Sequence, residues 1–226
     1  TIFEYHDNRQ FLASLGGGLR RKFIHNSNES LFDKITSLEN LFLAWKEFKR
    51  GKTRKIDVQE FEFNLEENLF QLHNELIDKT YQHSNYVSFY VTDPKLRHIH
   101  KACVRDRVLH HAIFRILYPI FDKSFNFDSY SCRLNNGTHR AVKRLKSFCN
   151  KLSRNNRKNI FVLKCDVKKF FDSVDQGILL SLLEKKVKDV NTLWLTKGII
   201  KSFKKEENKG LPIGNVTSQL FANIYL

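Results

Sequence analysis

The spacing of apolar residues along this chain changes period several times, and each change marks a new element. From Ser30 to Phe48, Leu31, Ile35, Leu38, Leu41, Phe42 and Trp45 recur at helical spacing, and Lys49-Arg50-Gly51-Lys52 ends the run. A second helix is expected from about Gln59 to Tyr81, with Leu65, Leu69, Leu72 and Leu76 on one stripe that packs against the first. Two short strands follow, Val87 to Val91 and Arg97 to Ala102, with Thr92-Asp93-Pro94-Lys95 as the turn between them. Arg105 to Phe121 is strongly amphipathic, with Val108, Leu109, Ala112, Ile113, Ile116 and Leu117 facing inward. Asn135-Asn136-Gly137 interrupts the chain, and Thr138 to Phe148 is helical again with Arg140, Lys143, Arg144 and Lys146 on its outer face.

Beyond a basic loop from Arg154 to Lys158, Ile160-Phe161-Val162-Leu163-Lys164-Cys165 is an apolar run suited to a buried strand. Helices are expected at about Gln176 to Lys188 and Asn191 to Phe203. A charged hairpin or loop follows at Lys204 to Lys209, then a turn at Gly210-Leu211-Pro212-Ile213-Gly214 and a helix from Asn215. There is no internal repeat and no low-complexity tract.

Composition narrows the class. The 226 residues suffice for one large or two small domains, and 41% hydrophobic residues with only 3 prolines exclude a disordered chain. The balance of 39 Lys+Arg against 24 Asp+Glu, a net charge of +15, favours a polyanionic partner, nucleic acid first. No apolar run approaches the roughly 18 residues that span a bilayer, and Thr1-Ile2-Phe3-Glu4 does not have a signal-peptide pattern. A cytoplasmic protein is expected. The cysteines Cys103, Cys132, Cys149 and Cys165 are widely spaced without a CxxC pair, so they are expected as reduced, mostly buried thiols. Gly16-Gly17-Gly18 before Leu19-Arg20-Arg21-Lys22 reads as a flexible basic lead-in, because no strand precedes it. Methionine is absent and Asn223 to Leu226 stop within an apolar helical pattern, so both ends are expected to continue in a longer chain.

Two constellations carry candidate chemistry. In Phe161-Val162-Leu163-Lys164-Cys165-Asp166-Val167-Lys168-Lys169-Phe170-Phe171-Asp172-Ser173-Val174-Asp175, an expected strand delivers the carboxylate of Asp166 at its exposed end. Phosphoryl transfer needs anionic oxygens around two Mg²⁺ ions about 4 Å apart, and the Val167 carbonyl stands beside Asp166 as a further ligand. Alone, an aspartate at a strand end is ordinary turn chemistry. The second block, Gly210 to Leu226, is on its residues a turn followed by a capped helix.

Together the two blocks resemble the reverse transcriptase family. The Asp166-x-x-x-Phe170-Phe171-Asp172-x-x-Asp175 run is similar to the first catalytic palm motif, and Leu211-Pro212-x-Gly214-x-x-x-Ser218 to the next. Asp93 to Ile99, Arg105 to Ala112, Asp128 to Arg133 and Gly137 to Ala141 resemble fingers motifs of the bacterial, group-II-intron-like branch. The resemblance implies an α+β, right-hand polymerase fold with reverse-transcriptase-like fingers and an incomplete palm. Its expected organisation is a helical region at 1–85, fingers at 86–158 and a partial palm at 159–226. It implies template-directed addition of dNTPs to a primer 3′-hydroxyl with two Mg²⁺ ions. Asp166 would be the first metal ligand and Phe171 the steric gate beneath the sugar. Lys95 and Arg97 would hold the triphosphate, with Ile213 and Gly214 beside the nascent pair. Arg133, Arg140, Ser218 and Gln219 would meet template or primer, although the basic face around Arg140 equally suits plain solvation. Arg105-Asp106-Arg107 reads first as a structural ion-pair cap.

Two departures matter. Intron and retroviral enzymes of the family usually have Gln before the second-motif glycine and Pro after its serine; here those positions are Ile213 and Gln219. The pattern is similar to enzymes of diversity-generating retroelements, which implies an RNA template, a DNA or RNA primer, a small basic accessory protein and a bacterial or phage source. Retron, intron or defence-associated enzymes are the alternatives, and a non-catalytic RNA-binding module is the rival class. The family's Tyr-x-Asp-Asp tetrad does not occur in these residues, so the chain is expected not to polymerise by itself.

Overall fold

A computed structural model describes residues 29–92 and 95–226; the Gly16-Gly17-Gly18 lead-in and Asp93-Pro94 of the expected turn lie outside them. In chain order the elements are α1 Leu31–Thr36, α2 Leu38–Phe48, α3 Ile56–Phe63, α4 Leu65–Ile77, β1 Val87–Thr92, β2 Leu96–Lys101, α5 Val104–Asp122, α6 Thr138–Leu152, α7 Phe170–Ser173, α8 Gln176–Lys186, α9 Val190–Lys201 and α10 Val216–Tyr225. The chain divides into two compact units. Phe125–Lys168 falls in the smaller, and the described residues up to Ser124 join Lys169–Leu226 in the larger.

The larger unit is built on α5, whose Val108, Leu109, Ala112, Ile113 and Leu117 are fully buried. It packs against α1, α2 and α10. The two N-terminal helices expected from periodicity are each broken once. Ser37, at φ −53° and ψ 138°, ends α1 and accepts a hydrogen bond from the Asn40 N–H to cap α2. Its hydroxyl offers the backbone a partner that competes with helix continuation. Asn64, at φ −114° and ψ 41°, separates α3 from α4. The apolar stripes survive both breaks because Ile35, Leu41, Leu69, Leu72 and Leu76 remain buried.

At the start of α5, the carboxylate of Asp106 is fully buried. It accepts from the Tyr81 hydroxyl at 2.9 Å, the Ser84 N–H at 2.8 Å and Arg105 Nε at 3.3 Å. Arg105 also pairs with Glu75 at 2.8 Å and donates to the Gln82 carbonyl at 2.7 Å. Burial opposes the charge on Asp106, but His83 and the hydrogen bonds outweigh it and hold the carboxyl below its usual range. The same burial, with Asp106 beside it, drives the Tyr81 hydroxyl far upward. Arg107 and Lys101 converge on Asp57 at 2.8 and 2.6 Å. Arg105, Asp106 and Arg107 are therefore braces that fix the chain entering the hairpin.

The two expected strands are present: β1 and β2 pair antiparallel from Val87↔Lys101 to Thr92↔Leu96. They form a two-stranded sheet, and no other strand exists among the described residues. The expected strand at Ile160 to Cys165 is thus corrected. The segment is irregular, with Phe161 98% and Leu163 88% exposed. A strand exists only where a neighbour takes its N–H and C=O groups, and no described segment pairs with this one. Expected as mostly buried, the cysteines also differ: Cys132 and Cys165 are exposed, and all four thiols are free. No helix among the described residues is long and apolar enough to cross a membrane.

Candidate active site

The loop from Gly210 to Asn215 is seated on β2. The His100 N–H donates to the Ile213 carbonyl at 2.9 Å, and the Asn215 side-chain amide donates to the His100 carbonyl at 3.1 Å. Gly214 adopts φ +118°, and a Cβ there would lie 3.0 Å from Ile99 Cγ2, so glycine alone permits this approach. Asn215 precedes α10 without capping it: its Nδ2 donates to β2, and its buried Oδ1 has no hydrogen-bond partner among the described residues.

Beneath the loop lies a second layer of bonds. The Leu211 N–H donates to the Phe171 carbonyl at 2.8 Å and the Gly210 N–H to the Val174 carbonyl at 2.9 Å. Gln176 is buried, and its amide nitrogen faces the carbonyls of Phe203 at 2.6 Å, Gly210 at 3.0 Å and Ile200 at 3.1 Å. Asp175 caps α8 through the Ile178 N–H at 2.9 Å. The structure thus joins the Phe171 turn, Ile213, Gly214 and the strand that carries Arg97.

Within this assembly the candidate residues differ in availability. Lys95 and Arg97 are exposed, and neither forms an ion pair among the described residues. Phe171 is half-buried, edge-on to Phe170, whose ring leans on Tyr225 at 6.3 Å. Ile213 and Gln219 are half-buried and Gly214 is exposed. Ser218 is 2% exposed in the packed face of α10 beside Thr217 at 1%, so in this packing its hydroxyl does not reach solvent. Along the hairpin, Tyr90 stacks on His98 at 4.4 Å, His98 meets His100 at 4.3 Å, and His100 meets Phe203 at 4.6 Å. Burial, then the neighbouring His98 and Lys205, lower the pKa of His100 against the pull of Asp172.

The remaining candidates belong to the smaller unit. Asp166 and Val167 are exposed on the irregular segment. Arg133 is bound up in its own loop, donating to the Asn126 carbonyl at 2.7 Å and lying over Phe125. Arg140 is exposed on the first turn of α6, and its guanidinium donates to the Asn135 carbonyl at 3.2 Å. One carboxylate and one backbone carbonyl do not make a two-ion site, and no cluster of three or more His, Cys, Asp or Glu suited to a metal exists among the described residues. The residues present therefore do not fit a magnesium pair by themselves.

Sequence reasoning missed Gln176, Asn215 and His100. A glutamine opening a helix looks like any polar residue until the carbonyls it serves are known. The asparagine carries the pattern of a cap, so its real partner across the fold was invisible.

Comparison with known proteins agrees with this arrangement. The family described as "Reverse transcriptase (RNA-dependent DNA polymerase)" matches residues 91–226. The chain is 25% identical over 163 residues to "Protein YkfC" of Escherichia coli (strain K12), covering 69% of this chain and 42% of that protein. It is 26% identical over 170 residues to "Group II intron-encoded protein LtrA" of Lactococcus lactis subsp. cremoris, covering 71% of this chain and 27% of that protein. It thus spans less than half the length of these relatives. A chain of the "Partial Cas6-RT-Cas1--Cas2 complex" superposes with a TM-score of 0.58 over 87% of this chain and 34% of that one, at 22% identity, a likeness of fold. The right-hand α+β architecture is shared, and this chain belongs to the reverse transcriptase (RNA-dependent DNA polymerase) family.

Proposed function

We propose that this chain supplies the nucleotide-handling front of an RNA-directed DNA polymerase that adds dNTPs to a primer 3′-hydroxyl. The observation that carries this reading is the docking of the Ile213-Gly214 loop on β2 by the His100 and Asn215 bonds. That docking holds a close-approach glycine against the strand bearing Arg97, which has no ion pair among the described residues. Lys95 and Arg97 would grip the triphosphate, since a guanidinium binds phosphate oxygens bidentately. Phe171, whose backbone is tied to the loop through Leu211, would lie under the sugar and exclude a 2′-hydroxyl. Asp166 would supply one carboxylate toward magnesium, with Val167 beside it; the other carboxylates would come from a Tyr-x-Asp-Asp turn that these residues do not contain.

Ile213 supports the finer reading, an error-prone enzyme of a diversity-generating retroelement copying an RNA template with a small basic accessory protein. An apolar side chain at that place removes an amide that would otherwise hydrogen-bond near the nascent pair. In a longer chain that includes the missing turn, Asp166→Asn should abolish primer extension. Arg97→Ala should lower kcat/KM for dNTP about 10- to 100-fold, and Ile213→Gln should reduce misincorporation. The 226-residue chain itself should give no extension. Full activity of the Asp166→Asn enzyme would end the polymerase reading, and an unchanged error spectrum for Ile213→Gln would end the retroelement one.

A further inference from the structure

We infer that the smaller unit carries a pocket for a single unpaired nucleotide unit, formed between the loop after Phe125 and the N-terminal half of α6. The cavity measures about 300 Å³ and is lined by Phe127, Tyr130, Asn136, Arg140, Lys143, Arg144 and Ser147. That is at the lower end of ligand pockets, about 300 Å³ upward, and its wide mouth suits a residue that remains part of a strand.

The walls divide by chemistry. Residues 140, 143, 144 and 147 fall at three- and four-residue intervals, so they share one face of α6. Arg144 is committed: it pairs with both oxygens of Asp128, at 2.8 and 3.2 Å. Its guanidinium also lies 5.3 Å from the ring of Phe127 and 4.4 Å from that of Phe148. Tyr130 donates to the same Asp128 at 2.8 Å, and the hydrogen bonds from Arg144 and Tyr130 hold that carboxyl low. Asp128, Tyr130 and Arg144 therefore form a closed set with its charge balanced, which sets the aromatic wall.

Arg140 and Lys143 are not committed. The Arg140 guanidinium donates to the Asn135 carbonyl, and among the described residues neither Arg140 nor Lys143 has an ion pair. Among the described residues, two cations without an ion pair thus stand one turn apart beside two aromatic rings. Phe127 is 67% exposed, an apolar ring left largely in water. A base stacked on Phe127 and Tyr130 with its phosphate on Arg140 and Lys143 satisfies both, and stacking of this kind is indifferent to base identity. The shared chemistry is a nucleoside monophosphate unit, either free or as one residue of a single strand. The site fits template handling in the polymerase reading but does not need polymerisation, so the two fail separately.

The test is fluorescence anisotropy of a short labelled oligoribonucleotide on the 226-residue chain, with unlabelled AMP as competitor. Phe127→Leu, which keeps an apolar side chain but removes the stacking face, should weaken binding about tenfold, while Phe127→Trp should keep it. Arg140→Ala with Lys143→Ala should flatten the dependence of log K on log salt by about 1.4, two contacts at roughly 0.7 each. Arg157→Ala with Lys158→Ala, in the basic loop of the same unit, should leave the effect of Phe127→Leu intact. Competition by AMP identifies a free nucleotide as ligand; dependence on Phe127 without competition identifies a strand residue. Wild-type affinity in Phe127→Leu, or equal losses in the two cation pairs with no aromatic effect, would overturn the pocket in favour of diffuse electrostatics.

Discussion

Residues 210–215 and residues 160–167 are both irregular segments at the start of the two blocks that carry the family resemblance, yet they are held in opposite ways. The first has two of its carbonyls and two of its N–H groups bonded to β2, Gln176, Phe171 and Val174. Leu211 is 1% and Asn215 2% exposed. The second has the more strand-like sequence, but Phe161, Val162 and Leu163 are 98%, 69% and 88% exposed. Apolar character did not decide the outcome; partners did. A loop whose polar groups are served by buried side chains is fixed, and an apolar run without a neighbouring strand is not.

The largest test of that contrast removes the brace at its root. Asp106→Ala leaves the Tyr81 hydroxyl and the Ser84 N–H without their acceptor and removes one of the three partners of Arg105, which keeps Glu75 and the Gln82 carbonyl. Breaking a buried pair costs about 3–5 kcal/mol, so the melting temperature should fall by roughly 6–20 °C. Hydrogen exchange should speed up through the hairpin and residues 210–215 but not at 160–167. Unchanged protection at 210–215 would show that the loop is held locally and not through α5.

Acid should come next. Burial pushes His110 down to about 3 and His111 to about 4, so both stay neutral when folded. Unfolding frees them to protonate near 6.5. The unfolded chain therefore binds more protons below that pH, and stability present above it is lost as pH falls, by about 2 kcal/mol for each histidine between 6.5 and 5. Asp106, Asp57 and Asp189, whose carboxyls are held low, withdraw their support only further down, as pH drops through their folded values. Thermal melts at pH 7 and 5 should show the loss, and His110→Gln should roughly halve it. Parallel wild-type and variant profiles would assign the acid limb elsewhere.

These effects also mark what the sequence disclosed. The two strands of the hairpin, the core face of α5 and the helix after Asn215 were legible because each follows from local residue pattern. The family was legible because Asp166, Phe170-Phe171 and Leu211-Pro212 stand in a distinctive order. The breaks at Ser37 and Asn64 were hidden, since the apolar stripe runs through both. The missing strand at 160–165 was hidden for a different reason: pairing is a property of two segments, and one segment's residues do not reveal whether the other is present. Of the residues that the docked loop and β2 bring together, the sequence named Arg97, Ile213 and Gly214 as candidates, whereas Gln176 and His100 act through backbone carbonyls and N–H groups that leave no side-chain pattern.

A more local perturbation should separate the two segments cleanly. Gln176→Ala strands the carbonyls of Ile200, Phe203 and Gly210 in a buried place. Leaving such groups unpaired costs about 1–3 kcal/mol. The loss should appear as faster exchange confined to about residues 200–211, with Gln176→Glu at low pH, where the protonated acid can still donate, restoring part of it. Uniform exchange across the larger unit would mean that Gln176 supports the whole fold and not this loop.

The smallest expected effect is the sharpest probe of the open segment. Leu163→Ser changes a side chain that is 88% exposed, and surface substitutions away from packed features stay within about 0.5 kcal/mol. Stability should not move, while solubility should rise, because Phe161-Val162-Leu163 is an exposed run of high β-propensity with its backbone groups unclaimed. A loss of 2 kcal/mol or more would show that Leu163 is buried in solution, hence that a strand partner exists and residues 160–165 have their own brace. The contrast with 210–215 would then vanish, and Asp166 would stand at the tip of a paired strand, where the resemblance to the first palm motif requires it.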